Sequence, residues 1–117
     1  MVICIKNCRV SGILGVYEEE RHTERDIIVN ARVEYDATKA IEMDSLEHAL
    51  DYKHIRNAIM RVVAETKSQL LETLADKLVH ELAKDHRITR MELEIDKPRA
   101  LRLTDSVSAI IHWQRAS

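Results

Sequence analysis

The chain has 117 residues with 18 basic and 20 acidic side chains, a formal net charge of −2, and 45% hydrophobic residues. This balance is typical of a soluble globular protein, and the length predicts a single domain over residues 1–117. No apolar run in the sequence approaches the roughly 20 residues that a membrane-spanning helix needs, so such a helix is excluded. The charge balance also argues against a nucleic-acid partner, which usually requires a basic face with stacking aromatic residues.

Two predicted strands open the chain. Residues 2–10 favour β structure and end at Gly12. Residues 26–35 alternate apolar and polar side chains, which is the pattern of a half-buried strand. The predicted buried face of this strand consists of Ile27, Val29, Ala31, Val33 and Tyr35.

The hydrophobic period then changes to that of helices. Apolar residues recur at helical spacing from Ile55 to Val63 and again from Leu71 to Leu82. Residues 66–68 separate the two helices, and Ser68 is the predicted N-cap of the second.

Two further alternating segments, 88–96 and 106–114, complete the order β-β-α-α-β-β. This order predicts an α+β fold with a four-stranded antiparallel sheet and both helices on one face. Such a sheet has free edges and one uncovered face, which several copies could hide by joining their sheets into one barrel.

Aromatic residues are scarce. There is no Phe, and the aromatic side chains are Tyr17, Tyr35, Tyr52 and Trp113. The core must therefore be built from aliphatic residues, and a chain of this length buries only about two thirds of its unfolded surface when alone. Both features favour an oligomer.

The N-terminal residues and the two cysteines favour a cytoplasmic protein. Residues 1–6 lack the basic lead-in and apolar stretch of a secretory signal. Cys4 and Cys8 lie in a predicted strand, so their Cα atoms should be about 13 Å apart, which is beyond disulfide reach. We expect a cytoplasmic protein, because unpaired thiols suit a reducing compartment.

Two residues are candidates for proton transfer. Glu20 ends a run of three glutamates after a glycine turn, and Lys97 precedes Pro98 at a strand end. Residues in such places are usually solvated surface groups. Alternatively, Glu20 faces a pocket as a hydrogen-bonding group, and a desolvated Lys97 acts as an acid–base group.

Two more candidates lie at helix starts. Tyr52 can pack as an ordinary aromatic residue, or it can stack on a flat ligand and transfer a proton. Glu72 lies in the first turn of the second helix, where the helix dipole favours a carboxylate in any case. Its two oxygens could instead accept the amino group and ring N–H of a guanine-like base.

We expect no metal site and no cofactor. The six histidines and two cysteines show no zinc-ligand spacing. A Gly-rich phosphate loop and a serine nucleophile elbow are also missing from the sequence.

Four motifs occur in register with the predicted elements. They are Gly-Val-Tyr-Glu-Glu-Glu after the first strand, Asp-Tyr at the first helix, Leu-Leu-Glu-Thr-Leu-Ala in the second, and Asp-Lys-Pro-Arg-Ala after the third strand. In this combination the chain resembles dihydroneopterin aldolase and its sister branch, dihydroneopterin triphosphate 2'-epimerase, over nearly its whole length. The resemblance implies the tunnelling fold (T-fold), a homo-oligomer in which four subunits form one barrel and two such rings stack as an octamer.

The resemblance also implies a pterin site between neighbouring subunits. Glu72 matches the carboxylate that anchors the pterin, with the Leu71 backbone beside it. Tyr52 matches a tyrosine that the adjacent subunit contributes for stacking and proton transfer. Glu20 matches a loop glutamate near the substrate side chain, and Lys97 matches the acid–base lysine.

The implied reaction uses the substrate's own ring C=N to accept the electrons of the broken C–C bond. Lys97, with Glu20 ordering a water, would relay the proton of the 2'-hydroxyl, and Tyr52 would help to protonate the remaining carbon. The products of this lyase are 6-hydroxymethyl-7,8-dihydropterin and glycolaldehyde, in folate biosynthesis. If the aldehyde turns over and adds back, the same groups catalyse 2'-epimerisation.

Two alternatives remain beside the aldolase, which is the preferred prediction. The segment 100–108 and the ending His-Trp-Gln-Arg resemble the epimerase branch more than the aldolase. The cationic neighbours that a triphosphate needs could be Arg21, His22, Arg99 and Arg102. The alternative of another class is a non-enzymatic oligomerisation module.

Overall fold

The computed structural model describes all 117 residues and confirms the predicted order of strands and long helices. None of the helices is both long and apolar enough to cross a membrane. The elements are β1 (Val2–Gly12), α1 (Glu18–Arg21), β2 (Arg25–Tyr35), α2 (Thr38–Met43), a 3₁₀ turn (Leu46–His48), α3 (Tyr52–Thr66), α4 (Leu71–Leu82), β3 (Ile88–Pro98) and β4 (Ser106–Gln114). The short helices α1 and α2 lie in segments for which the sequence predicted no regular structure.

The four strands form one antiparallel sheet in the order β1-β2-β3-β4. Helices α3 and α4 pack against each other and against the same face of this sheet, α3 on β1 and α4 on β3 and β4. The predicted face of β2 is buried from Ile27 to Tyr35, and Met91, Leu93 and Ile95 of β3 are buried beside it. The sheet, both helices and the buried face of β2 are therefore as predicted.

The buried core is almost entirely aliphatic, and Tyr35 is its single aromatic side chain. Tyr17 and Tyr52 are instead exposed. Ile111 and Trp113 of β4 are only partly buried, because β4 is an edge strand and no further strand lies beside it. The face of the sheet away from the helices carries polar and charged side chains, among them Arg32 and Glu92.

One predicted detail is wrong. Helix α4 begins at Leu71, and Leu70 rather than Ser68 occupies its N-cap position, without a side-chain cap. Ser68 is buried, and its backbone carbonyl accepts the N–H of Gly15 at 3.1 Å. The chain turns at Lys67, which has a left-handed φ of 48°, so Ser68 docks the loop that follows β1 instead of capping the helix.

Candidate active site

Lys97 and Glu20 form a largely buried ion pair. Lys97 lies at the end of β3, Glu20 lies in α1, and Nζ of Lys97 donates a hydrogen bond to Oε2 of Glu20. Only 17% of the lysine side chain and 13% of the glutamate side chain are exposed. Neither residue is the solvated surface group that its sequence context also allowed.

The electrostatics of this pair keep Glu20 ionised. The hydrogen bond from Lys97 lowers the pKa of Glu20 below its usual 4.5 and outweighs the opposing effect of burial. A second hydrogen bond, from the backbone N–H of Tyr17 to Oε1 at 3.2 Å, acts in the same direction. At neutral pH the pair therefore consists of a carboxylate acceptor next to a lysine donor, both shielded from bulk water.

Gly15 makes room for this carboxylate. Its φ of +146° is a conformation that residues with side chains rarely adopt, and a Cβ at this position would overlap the carboxyl group of Glu20. The glycine turn that precedes the three glutamates is therefore a steric requirement for the position of Glu20.

Arg21 fastens the same loop to the turn between α3 and α4. Its Nη1 donates to the carbonyl oxygens of Gly15 and Ser68, both at 3.0 Å, and its Nη2 donates to that of Lys67 at 2.7 Å. The sequence indicated Arg21 only as a possible phosphate ligand. Its actual contacts are with backbone carbonyls, which no residue pattern reveals, so sequence reasoning missed this function.

The start of α4 follows closely in sequence on the two carbonyl groups of Lys67 and Ser68 that Arg21 binds. Glu72 is exposed in the first turn of the helix, four positions beyond Ser68, and Leu71 is half-buried. With no side-chain cap at Leu70, the first backbone N–H groups of α4 are free to bind a ligand. Arg21 thus joins the loop of Glu20 to Lys67 and Ser68, which lie a few residues before Glu72 in the sequence.

Tyr52 does not join these residues within one chain. It is the first residue of α3, and the helix runs about 21 Å from there to Thr66, beside the turn that Arg21 holds. Its neighbour Asp51 lines a cleft with Ile88, at the start of β3, whereas Lys97 lies about 30 Å further along the same strand. The side chain of Tyr52 is 59% exposed.

No group of three or more His, Cys, Asp or Glu side chains is arranged to hold a metal ion. The site as built offers one lysine donor, two carboxylates and free backbone N–H groups. These groups can bind a polar ring with adjacent donors and can move a proton at a second point nearby.

Several known proteins are similar to this chain. The dihydroneopterin aldolase (FolB) family model matches residues 3–112. The chain is 37% identical over 114 residues to the dihydroneopterin triphosphate 2'-epimerase of Escherichia coli K12, covering 97% of this chain and 95% of that protein. It is 22% identical to the dihydroneopterin aldolase of Haemophilus influenzae, covering 93% of this chain and 92% of that protein.

A solved structure confirms the fold. The structure of E. coli dihydroneopterin aldolase in complex with neopterin superposes on this chain with a TM-score of 0.92 at 22% identity, covering 97% of this chain and 98% of that one.

Proposed function

Because the chain belongs to the dihydroneopterin aldolase (FolB) family, we propose that it breaks the C1'–C2' bond of a dihydroneopterin side chain in a retro-aldol reaction. The observation that carries this proposal is the shielded ion pair of Lys97 and Glu20. A retro-aldol step needs a group that takes the proton of the 2'-hydroxyl and a sink for the bonding electrons. The pair provides the former, and the ring C=N of the substrate provides the latter.

The pair supports proton transfer because its members are already hydrogen-bonded. Glu20 is ionised and accepts from Lys97, so the ammonium group can pass a proton to the carboxylate, and the neutral amine that results can take the proton of the 2'-hydroxyl without bulk water. The electron pair of the broken bond moves into the ring, and the remaining carbon then takes up one proton, which leaves the atoms in balance. The aldehyde leaves with the 2'-oxygen as its carbonyl oxygen.

We propose that Glu72 and the Leu71 backbone anchor the pterin ring. A carboxylate at an uncapped helix start presents two acceptor oxygens beside free N–H donors, which matches the alternating donors and acceptors of a pterin edge. Arg21 fixes the distance between this anchor and the Glu20 loop. The reacting side chain would then lie towards Lys97 while the ring is held at α4.

Tyr52 would serve the site of a neighbouring copy. Within its own chain it lies at the other end of α3, although it is exposed and available for stacking. Both edges of the sheet, β1 and β4, are unpaired and can join those of further copies. We therefore propose a homo-oligomer in which the sheets of four chains form one shared barrel and two such rings stack. In this assembly Tyr52 completes the site of the neighbouring subunit.

The fate of the aldehyde decides between two activities. If it escapes, the enzyme is an aldolase, which is the activity that the sequence motifs favour. If it turns over and adds back, the product is the 2'-epimer. The 37% identity to an epimerase, against 22% to an aldolase, favours the second activity as a candidate in its own right.

The test is incubation of the purified protein with 7,8-dihydroneopterin and, separately, with its triphosphate. Released aldehyde indicates the aldolase, and a changed 2' stereocentre indicates the epimerase. If neither product forms from either compound at high enzyme concentration, the catalytic proposal is wrong and a non-enzymatic assembly module remains.

A further inference from the structure

Residues 36–51, which join β2 to α3 and end just before Tyr52, are weakly attached to the rest of the chain. Helix α2 and the 3₁₀ turn within this segment contain no buried residue. Three of its larger apolar side chains, Ile41, Met43 and Leu46, are exposed. The position of Tyr52 therefore depends on what holds the end of this segment.

Arg87 holds that end. Its Nη1 donates a hydrogen bond to the carbonyl oxygen of Ala49 at 2.7 Å, three residues before Tyr52. The first N–H groups of α3 also bond to Asp51, but no further group outside residues 36–51 forms a hydrogen bond with this segment. The bond from Arg87 is thus the one that ties the segment to the turn between α4 and β3.

Asp85 fixes the direction of the Arg87 guanidinium group. Nε donates to Oδ1 at 3.0 Å and Nη2 donates to Oδ2 at 2.9 Å, so the two planar groups meet through two parallel hydrogen bonds. Hydrogen bonding from Arg87 lowers the pKa of Asp85, which is therefore ionised at neutral pH. With Nε and Nη2 engaged in this way, Nη1 is the nitrogen that reaches Ala49.

The residues between this contact and Tyr52 are fixed as well. The side chain of Leu50 is buried, and Oδ1 of Asp51 accepts the N–H of Lys53 at 3.0 Å as the N-cap of α3. The side chain of Tyr52 is exposed and has no hydrogen-bond partner within its own chain. The backbone before Tyr52 therefore decides where its ring lies.

We propose that Arg87 is a positioning residue that holds Tyr52 in place for the site of a neighbouring copy. This inference rests on the proposed function, in which Tyr52 acts outside its own chain. Arg87 directly precedes β3, and Lys97 lies about 30 Å further along that strand, so Arg87 does not reach the Lys97 site of its own chain. Its effect on the reaction would pass through Tyr52 alone.

The first experiment compares homo-oligomers of Arg87→Gln with those of the control Arg61→Gln. The control removes an arginine in the middle of α3 that pairs with Glu81 of α4, and it leaves the start of α3 untouched. Arg87→Gln should lower kcat at least about tenfold, because a misplacement of about 1 Å can cost about 10²-fold in rate. Arg61→Gln should keep its kcat. An unchanged kcat in Arg87→Gln, or an equal fall in the control, overturns the proposal.

Mixed oligomers distinguish a positioning role from general damage to the chain. Arg87→Gln chains keep their own Lys97, so co-expression with Lys97→Ala chains should raise activity above that of either parent. About a quarter of the sites in a random mixture then combine an intact Lys97 with a well-placed Tyr52. Co-expression of Arg87→Gln with Tyr52→Ala should give no such rise, because neither chain supplies a well-placed Tyr52. Recovery with Tyr52→Ala, or no recovery in either mixture, overturns the role.

A third measurement does not depend on turnover. Hydrogen exchange of the N–H groups of Lys53, His54 and Ile55, which bond to Asp51, reports whether the start of α3 is held in place. Exchange should be at least about tenfold faster in Arg87→Gln than in wild type, since the lost bond is charge-assisted. It should be unchanged in Arg61→Gln. Equal rates in Arg87→Gln and wild type refute the positioning role.

Two further outcomes keep the proposal decidable. If Arg87→Gln does not fold, Asp85→Asn replaces it, and the weaker hold on the guanidinium group should again speed exchange at the start of α3. Wild-type exchange in Asp85→Asn would then refute the role. If wild type converts neither pterin, the proposed function fails, and the exchange rates alone decide whether Arg87 holds Tyr52 in place.

Discussion

Nζ of Lys97 donates a hydrogen bond to the carboxylate of Glu20, although 77 positions of the sequence separate the two residues. The contact joins the end of β3 to the short helix after β1, and both side chains are mostly withdrawn from water. Shielding strengthens such a pair and also makes it sensitive to the loss of either partner. The pair is therefore the first target for substitution.

Lys97→Ala should leave pterin binding largely intact and slow turnover by at least roughly 10²-fold, the usual effect of losing an acid–base group. Lys84→Ala, which removes an exposed lysine paired with Glu81, is the matched control and should keep its rate. Single-turnover kinetics and pterin titration separate the two effects. Normal turnover without Lys97 would remove this residue from the mechanism.

Glu72→Ala should abolish tight pterin binding, because the donor edge of the ring would be left unpaired in the bound state. Asp76→Ala, an exposed carboxylate one turn further along α4, is the control for a general loss of negative charge. Calorimetry with a non-reacting pterin gives the affinity directly. Equal affinities of wild type and Glu72→Ala would refute the anchoring role.

Arg21→Ala should lower kcat more than Arg115→Ala does. Both arginines bind three backbone carbonyls, but Arg115 binds those of Ala83, Asp85 and Ile88, beside the start of β3 and far from Lys97. The two variants should therefore lose similar thermal stability, and only the loss of Arg21 should disturb the spacing of Glu20 and Glu72. Parallel falls in kcat for both variants would show that Arg21 is merely structural.

Glu20 should make folding stability depend on pH. Its pKa in the folded protein is below the usual 4.5, chiefly because of the hydrogen bond from Lys97. Its contribution is therefore complete above about pH 4.5 and is lost as the pH falls through the folded-state value. Urea unfolding at about pH 7 and about pH 4 should show a smaller loss of stability for Glu20→Gln than for wild type. Equal losses would contradict the assignment.

Co-expression of Tyr52→Ala and Lys97→Ala chains should restore activity that neither variant has alone. If Tyr52 acts in the site of a neighbour, about a quarter of the sites in a random mixture combine an intact Lys97 with an intact Tyr52. Mixed oligomers can be purified with two different affinity tags and assayed. No recovery in such mixtures would contradict the proposal that Tyr52 acts in the site of a neighbouring copy.

The fold could be predicted because its signals are periodic and local. The alternation from Ile27 to Tyr35 and the helical spacing from Leu71 to Leu82 each depend on neighbours within a few positions. The Ser68 N-cap failed because a tertiary contact, the docking of Gly15, took over that backbone. A capping preference of about 1 kcal/mol is easily overridden in this way.

The candidate site was predictable only in part. The motifs single out Lys97, Glu20, Tyr52 and Glu72, but the sequence could not show that the first two touch. The position of Arg21 depends on hydrogen bonds to backbone carbonyls, which leave no residue pattern. Such contacts are visible only in three dimensions.

Because α3 places Tyr52 far from the other candidate site residues of its own chain, a defect in one copy would affect the activity of another. A chain with a damaged helix start keeps its own lysine and carboxylates but, under the proposed assembly, disables the site of its neighbour. Faulty copies would therefore disable sites on sound chains, while their own sites would work with Tyr52 from a sound neighbour, so the activity of a mixed population would fall in proportion to the share of mutant chains. Dilution would abolish activity altogether, since a dissociated chain carries two incomplete halves of different sites.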